Sequence, residues 1–205
     1  MKEIIKNTFI MFAITLVAGV LLALVFNVTA APRAEQQELA KQNAYRAVFA
    51  DGAEFRDANI ALEPLYEEVA EMGVTPDVAK VTEVVAAFSE SGEHLGDVLT
   101  VESYKGYGGT IKFTVGIRMD GTVNGYSLLS ISETAGLGMK AKEDPFASQF
   151  RNKKVDHFEY TKDGAKADNQ VDAISGATKT TKAIVYGTNA AIYTFNLMHG
   201  EGGTN

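Results

Sequence analysis

Apolar and polar positions divide the chain into three regimes. From Thr8 to Val28 no residue is charged, and only Thr8, Thr15 and Asn27 are distinctly polar. As a helix this run reaches about 31 Å at 1.5 Å per residue, close to the hydrocarbon thickness of a bilayer. It is apolar on every face, which a surface helix of a globular domain is not. Val28-Thr29-Ala30 has the small residues of a signal-cleavage site. The apolar part of a signal peptide is only about 7–15 residues, however, so the run reads as a retained transmembrane anchor. Lys2 and Lys6 precede it and Arg33 follows. The positive-inside bias then places the N-terminus in the cytoplasm, with the body of the chain on the extracytoplasmic side of the cell (inner) membrane.

The second regime has a helical period. Residues 34–50 predict a helix with Leu39, Ala44 and Val48 near one face, ended by Asp51-Gly52. Glu63-Pro64 and Thr75-Pro76 punctuate residues 53–80 into short segments that read as helical turns. The third regime changes to period two. Residues 81–88 and 95–102 predict strands joined by Ser89-Glu90-Ser91-Gly92. In residues 110–118, Ile111, Phe113, Val115 and Ile117 alternate with Lys112, Thr114, Gly116 and Arg118, a half-buried strand that turns at Asp120-Gly121 into a strand over 123–130. A glycine-containing loop (131–142), a short helix (145–150) and another strand (157–160) follow. Residues 179–198 form a last helix whose stripe is Ile184, Thr188, Ala191, Phe195 and Met198. The fold class is α+β: an antiparallel sheet with flanking helices, preceded by one N-terminal transmembrane helix. The expected organisation is a cytoplasmic N-terminus (1–7), the span (8–28), a helical linker that starts the soluble part (29–80), the main domain (81–199) and a frayed tail (200–205).

Composition removes several kinds of chemistry. There is no cysteine, so the chain supplies no disulfide, thiol nucleophile or iron–sulfur ligand. The three histidines, His94, His157 and His199, are far apart in sequence, and no metal site is expected. The net charge is −7 and no basic run occurs, which argues against nucleic acid as a partner.

The chemistry concentrates ahead of the last helix, in Asp172-Ala173-Ile174-Ser175-Gly176-Ala177-Thr178-Lys179-Thr180-Thr181. Gly176 and Ala177 let another group approach the backbone. The first N–H groups of a helix lack internal partners and, with the helix dipole, favour a phosphate. Ser175, Thr178, Thr180 and Thr181 add hydroxyls. On residue chemistry alone this is an anion site, or a helix start capped by Ser175 or Thr178.

Ser175-Gly176-Ala177-Thr178 followed by x-Thr180 resembles the flavinylation motif of the FMN-binding domain family, [Ser/Thr]-Gly-Ala-Thr-x-[Ser/Thr]. Ser132-Glu133-Thr134-Ala135-Gly136-Leu137-Gly138 resembles the family's Ser-Glu-Thr-Pro-Gly-Leu-Gly loop, and Gly106-Tyr107-Gly108-Gly109 its Gly-Tyr-Gly-Gly approach to a strand. The three occur in the family's order, and the resemblance covers residues 97–195. Ala135 and Thr110 stand where proline is frequent, which loosens the loop without touching the acceptor threonine. The resemblance implies FMN joined through a phosphodiester to Thr178. The segment Ser175, Gly176, Ala177, Thr180 and Thr181 would surround the phosphate. Glu133, Thr134, Leu137, Gly138, Gly108 and Gly109 would form the flavin pocket, with Thr134, Leu137 and Gly138 beside the ring. Glu133 and Lys140 also have a plainer reading as solvated surface charges.

The anchor and the helix after it resemble the G subunit of Rnf-type complexes, which couple electron flow between ferredoxin and NAD to Na⁺ or H⁺ movement. By that resemblance the chain is an electron-transfer component of a membrane oxidoreductase and translocase, with no complete catalytic site of its own. Its partners are the other subunits and a flavin transferase for maturation. It does not bind NAD, since no Gly-x-Gly-x-x-Gly follows a strand. The C subunit of the Na⁺-translocating NADH:quinone reductase shares the domain and linkage. A redox-sensing membrane regulator with the same domain, and an extracytoplasmic module with a noncovalent ligand, are the remaining alternatives.

Overall fold

The computed structural model describes residues 1–200, and the expected tail falls outside the described residues from Glu201 onward. The chain forms two compact units, Met1–Gln42 and the part from Asn43 onward.

In the first unit, α1 runs Lys2–Val28 without one buried residue. Phe9, Leu22 and Val28 are each more than 70% exposed, and α1 is long and apolar enough to cross a membrane. The polar groups of its uncharged run, 8–28, turn inward to the backbone: the Thr8 and Thr15 hydroxyls donate to the carbonyls of Ile4 and Met11 at 2.9 and 3.0 Å, and Asn27 Nδ2 donates to that of Ala23 at 3.0 Å. In a bilayer such bonds hide polar atoms that lipid cannot satisfy. Helix α2 spans Ala30–Val48. Leu39, expected on its packed face, is 47% exposed, and the buried stripe begins only at Ala44, Tyr45 and Val48.

The second unit is built on a five-stranded antiparallel meander: β1 (Glu54–Asp57), β2 (Ala79–Phe88), β3 (His94–Ser103), β4 (Ile111–Arg118) and β5 (Val123–Ser130). Helix α3 (Leu65–Glu71) lies between β1 and β2. Residues 53–80 thus hold a strand as well as the expected helical turns. The reason β1 is silent in the sequence is chemical: Glu54, Arg56 and Asp57 are exposed on this edge strand and only Phe55 is half-buried, so no apolar alternation marks it. After β5 come a 3₁₀ turn (Gly138–Lys142), helix α4 (Asp144–Ala147) and a second 3₁₀ turn (Ser148–Phe150). Strands β6 (Glu159–Thr161) and β7 (Gln170–Asp172) pair in parallel, and β7 has no counterpart among the expected strands. Helix α5 (Thr178–His199) closes the fold.

Both faces of the sheet are covered. Ile111, Phe113, Val115 and Ile117 of β4 are at most 1% exposed and join Leu99, Val101, Ile184, Ala191 and Phe195 in one core cluster. The alternation of β4 predicts a solvated opposite side. Instead Thr114 is fully buried, and Tyr45, Val48 and Phe49 pack with Val85, Ala87 and Val98 as a second cluster. Val84 and Val85 of β2 point to opposite clusters as neighbours in a strand must, and a register shift between Val81 and Glu83 explains why Val81 shares the first cluster with Val84 while Val85 and Ala87 serve the second.

Asn189 in the middle of α5 accepts from the Phe158 N–H at 2.7 Å and donates to the Phe158 carbonyl at 2.9 Å, with both residues buried. Removing it leaves two buried backbone groups unpaired. Asn189→Ala is therefore expected to cost about 2–4 kcal/mol of stability. Urea unfolding of the soluble part measures this, and an unchanged midpoint would show that water replaces the side chain.

Candidate functional site

The topology brings the three glycine-containing segments together. Residues 106–109 lead into β4 and residues 131–138 leave β5; because β4 and β5 are antiparallel neighbours with Lys112 opposite Ser130, both lie at one end of the sheet. The start of α5 closes the third side of a cleft of about 560 Å³, within the usual range of cofactor sites.

Gly176, Ala177, Thr178 and Thr180 line this cleft from the α5 side. Gly176 has φ +76°, a left-handed turn that delivers the chain into the helix. Ala177 is the N-cap, and no side chain caps the helix. Capping by Ser175 or Thr178 is therefore not what the segment does. A 22-residue helix starting on alanine forgoes about 0.5–2 kcal/mol that Ser, Thr, Asn or Asp would supply. The N–H groups at its first turn keep their capacity for an anion.

The four hydroxyls have separate fates. Thr181 is fully buried; it accepts from the Ile174 N–H at 3.0 Å and donates to the Ala177 carbonyl at 3.1 Å, so it braces the turn. Thr180 is 1% exposed and donates to Glu133 Oε2 at 3.0 Å. Ser175 lines a smaller neighbouring cleft with Lys140, Phe146 and Gln149. Thr178 alone lines the main cleft while making no side-chain hydrogen bond among the described residues. The expectation that Ser175 and Thr181 add donors to the same site is thus corrected: one faces elsewhere and the other is committed internally.

On the opposite wall stand Glu133, Thr134, Leu137 and Gly138. The Thr134 carbonyl accepts from the N–H groups of Leu137 and Met139 at 3.1 and 3.2 Å, so the turn is closed without the family's proline. Tyr126 of β5 donates its hydroxyl to the Ala141 carbonyl and anchors the following 3₁₀ turn. Burial pushes the Tyr126 phenol well above its ordinary value, which keeps it a donor. Leu137 is 41% exposed, an apolar group open to the cleft. Glu133 is no solvated charge: it is 9% exposed and accepts from the Gly108 N–H at 3.2 Å as well as from Thr180. Gly108 and Gly109 do not line the cleft. A Cβ on Gly108 would lie 1.9 Å from the Ser132 carbonyl oxygen, so this glycine is required by backbone contact.

Two cleft residues lie outside the sequence-derived set. Tyr107 is 70% exposed at the rim, and Lys179 Nζ lies 5.8 Å from its ring centroid. The sequence does carry signals for both. An aromatic between glycines has little to pack on within its own segment. A lysine in the first turn of a helix opposes the dipole unless an anion joins it.

Residues 106–193 match the FMN-binding domain model. The G subunit of the proton-translocating ferredoxin:NAD(+) oxidoreductase complex of Clostridium ljungdahlii is 30% identical over 86% of this chain and 83% of its own length. The G subunit of the ion-translocating oxidoreductase complex of Methanosarcina acetivorans is 31% identical over 93% and 94%. Among solved structures, NqrC of Shewanella oneidensis superposes with a TM-score of 0.54 at 19% identity, covering 76% of this chain and 85% of that one, which is a likeness of fold. The cleft's dimensions, its uncapped helix start and its open apolar wall fit FMN. The chain is an FMN-binding, single-pass membrane protein and belongs to the G-subunit family of ion-translocating ferredoxin:NAD(+) oxidoreductase complexes.

Proposed function

We propose that the chain relays electrons through FMN held covalently on Thr178, as the flavoprotein subunit of an Rnf-type ferredoxin:NAD oxidoreductase that moves Na⁺ or H⁺. The observation that carries the attachment is the accounting of hydroxyls in residues 175–181: of these four, Thr178 reaches the cleft without an internal side-chain hydrogen bond among the described residues. Attachment is a phosphoryl transfer. A P–O bond forms to Thr178 Oγ, the phosphoanhydride of a flavin dinucleotide donor breaks, a nucleoside monophosphate leaves, and the threonine proton passes to a base of the flavin transferase.

Bound FMN supplies one- and two-electron redox chemistry, and the protein supplies position and surroundings. The N–H groups at the start of α5, with Lys179, would hold the phosphate end. Leu137 and Tyr107 are the apolar and aromatic groups of the wall and would lie beside the ring. A link through the phosphate leaves the isoalloxazine unmodified, so these neighbours set its potential.

Helix α1 anchors this relay, with the N-terminus cytoplasmic by the positions of Lys2, Lys6 and Arg33 and the flavin domain outside. Deleting residues 1–31 leaves the unit from Asn43 onward whole, so it should give a soluble protein that still accepts flavin. N-terminal sequencing of the native chain checks the anchor: a mature start at Ala31 would mean that the segment is a cleaved signal.

The complex-level role has its own test. Membranes of cells lacking this chain should lose ferredoxin-dependent NAD reduction and regain it when the chain is restored. Undiminished activity in those membranes would remove the chain from the electron path.

A further inference from the structure

Glu133 presents a puzzle that flavin binding alone does not answer. A carboxylate buried in the wall of a site for an anionic cofactor repels that cofactor, and no lysine or arginine pairs with it among the described residues. Its two oxygens are instead divided between segments. Oε1 accepts from the Gly108 N–H at 3.2 Å, and Oε2 accepts from the Thr180 hydroxyl at 3.0 Å. Glycines enclose it: a Cβ on Gly106 would lie 2.8 Å from Oε1, and one on Gly138 would lie 2.6 Å from Oε2. The carboxylate therefore touches all three motif segments.

We propose that Glu133 is a positioning residue that binds the three glycine-containing segments into one frame and, by engaging the Thr180 hydroxyl, presents Thr178 to the flavin phosphate. This deepens the reading of Thr178 as the acceptor and rests on it. Thr178 and Thr180 are the first and third residues of α5, so fixing the Thr180 side chain fixes the rotation of the first helical turn. Glu133 does this through a side-chain hydroxyl and leaves the turn's backbone N–H groups to the phosphate. The last hydroxyl of the motif is then a handle for Glu133, not a phosphate ligand. The frame also explains why an alanine N-cap is tolerated: the helix start is held from outside.

The test uses the full-length chain produced with a flavin transferase, with covalent flavin followed over time as fluorescence on denaturing gels. Hydrogen exchange of the flavin-free chain is measured in parallel. Loss of a hydrogen bond to a charged group predicts that Glu133→Ala and Thr180→Val each slow labelling by about tenfold or more. Thr180→Ser, which keeps the hydroxyl, should restore most of the rate relative to Thr180→Val. Exchange should rise at residues 106–109 and 178–180 in the slowed variants and stay unchanged in β3 and β4. If Glu133→Ala fails to fold, Glu133→Gln and the Thr180 pair decide, because neither leaves a cavity at position 133. Parental labelling rates in Thr180→Val overturn the proposal, as does slowing by Glu133→Ala without any by Thr180→Val. If the parent itself takes no flavin, the acceptor assignment fails. The exchange data then still decide whether Glu133 holds the frame.

Discussion

Replacing Thr178 by alanine is expected to give a chain that folds, enters the membrane and carries no covalent flavin. The loss of attachment should be complete, because the other hydroxyls of the segment are buried or face another cleft. The fold should be spared for the same structural reason. Thr178 is half-buried at the first position of α5 and its hydroxyl holds nothing together among the described residues, while alanine is the better helix former. Stability should change by no more than about 0.5 kcal/mol. Denaturing gels of Thr178→Ala beside the parent, with thermal unfolding of both, separate the two effects. A flavin band that survives in the variant would place the acceptor elsewhere.

Gly138→Val should damage both site and stability. A Cβ at Gly138 would stand 2.5 Å from Thr180 Oγ1, 2.6 Å from Glu133 Oε2 and 2.7 Å from Glu133 Cβ. Backbone strain is not the cause, since the left-handed residue of this loop is Gly136 at φ +74°. The cause is that the space is already filled by the Glu133–Thr180 pair. Overpacking of this kind costs about 1–3 kcal/mol, and relief requires the loop to move away from α5. Flavin attachment, potential and turnover of the complex should all suffer. Leu137→Ala is the contrasting case. Leu137 is already 41% exposed, so its truncation should leave attachment and stability nearly intact and shift the flavin midpoint potential as water reaches the ring. Spectroelectrochemical titration of the purified variants reads this difference. Variants that both match the parent in potential and turnover would reduce the loop to a structural turn.

The elements legible in the sequence are those with a strong period: the apolar anchor, the alternating β4, the hairpin at Asp120-Gly121 and the long α5. Those that are not legible owe their state to partners. Strand β1 is four residues, three of them charged, and is a strand because β2 offers its edge. β7 is three residues and pairs with β6 across residues 162–169. The second buried face of the sheet is hidden because its cover, Tyr45 to Phe49, comes from the end of a helix far upstream and leaves no mark on the alternation of β4 itself. At the site, motif order indicates which segments meet. It does not indicate how their polar groups divide. That Thr180 and Thr181 serve the protein while Thr178 serves the cleft depends on which hydroxyl finds an acceptor after folding, and spacing alone does not encode that. Tyr107 and Lys179 are legible in principle, but the glycines and hydroxyls around them carry the stronger motif.

That this membrane-anchored protein carries its FMN on Thr178 is tested most directly by peptide mapping, with mass spectrometry of the chain isolated from native membranes. One peptide, spanning the Ser175–Thr181 segment, is predicted to gain the mass of FMN less water, with fragment ions placing the addition on Thr178. An unmodified segment in a fully loaded, electron-transferring complex, or the addition on any other residue, would contradict it.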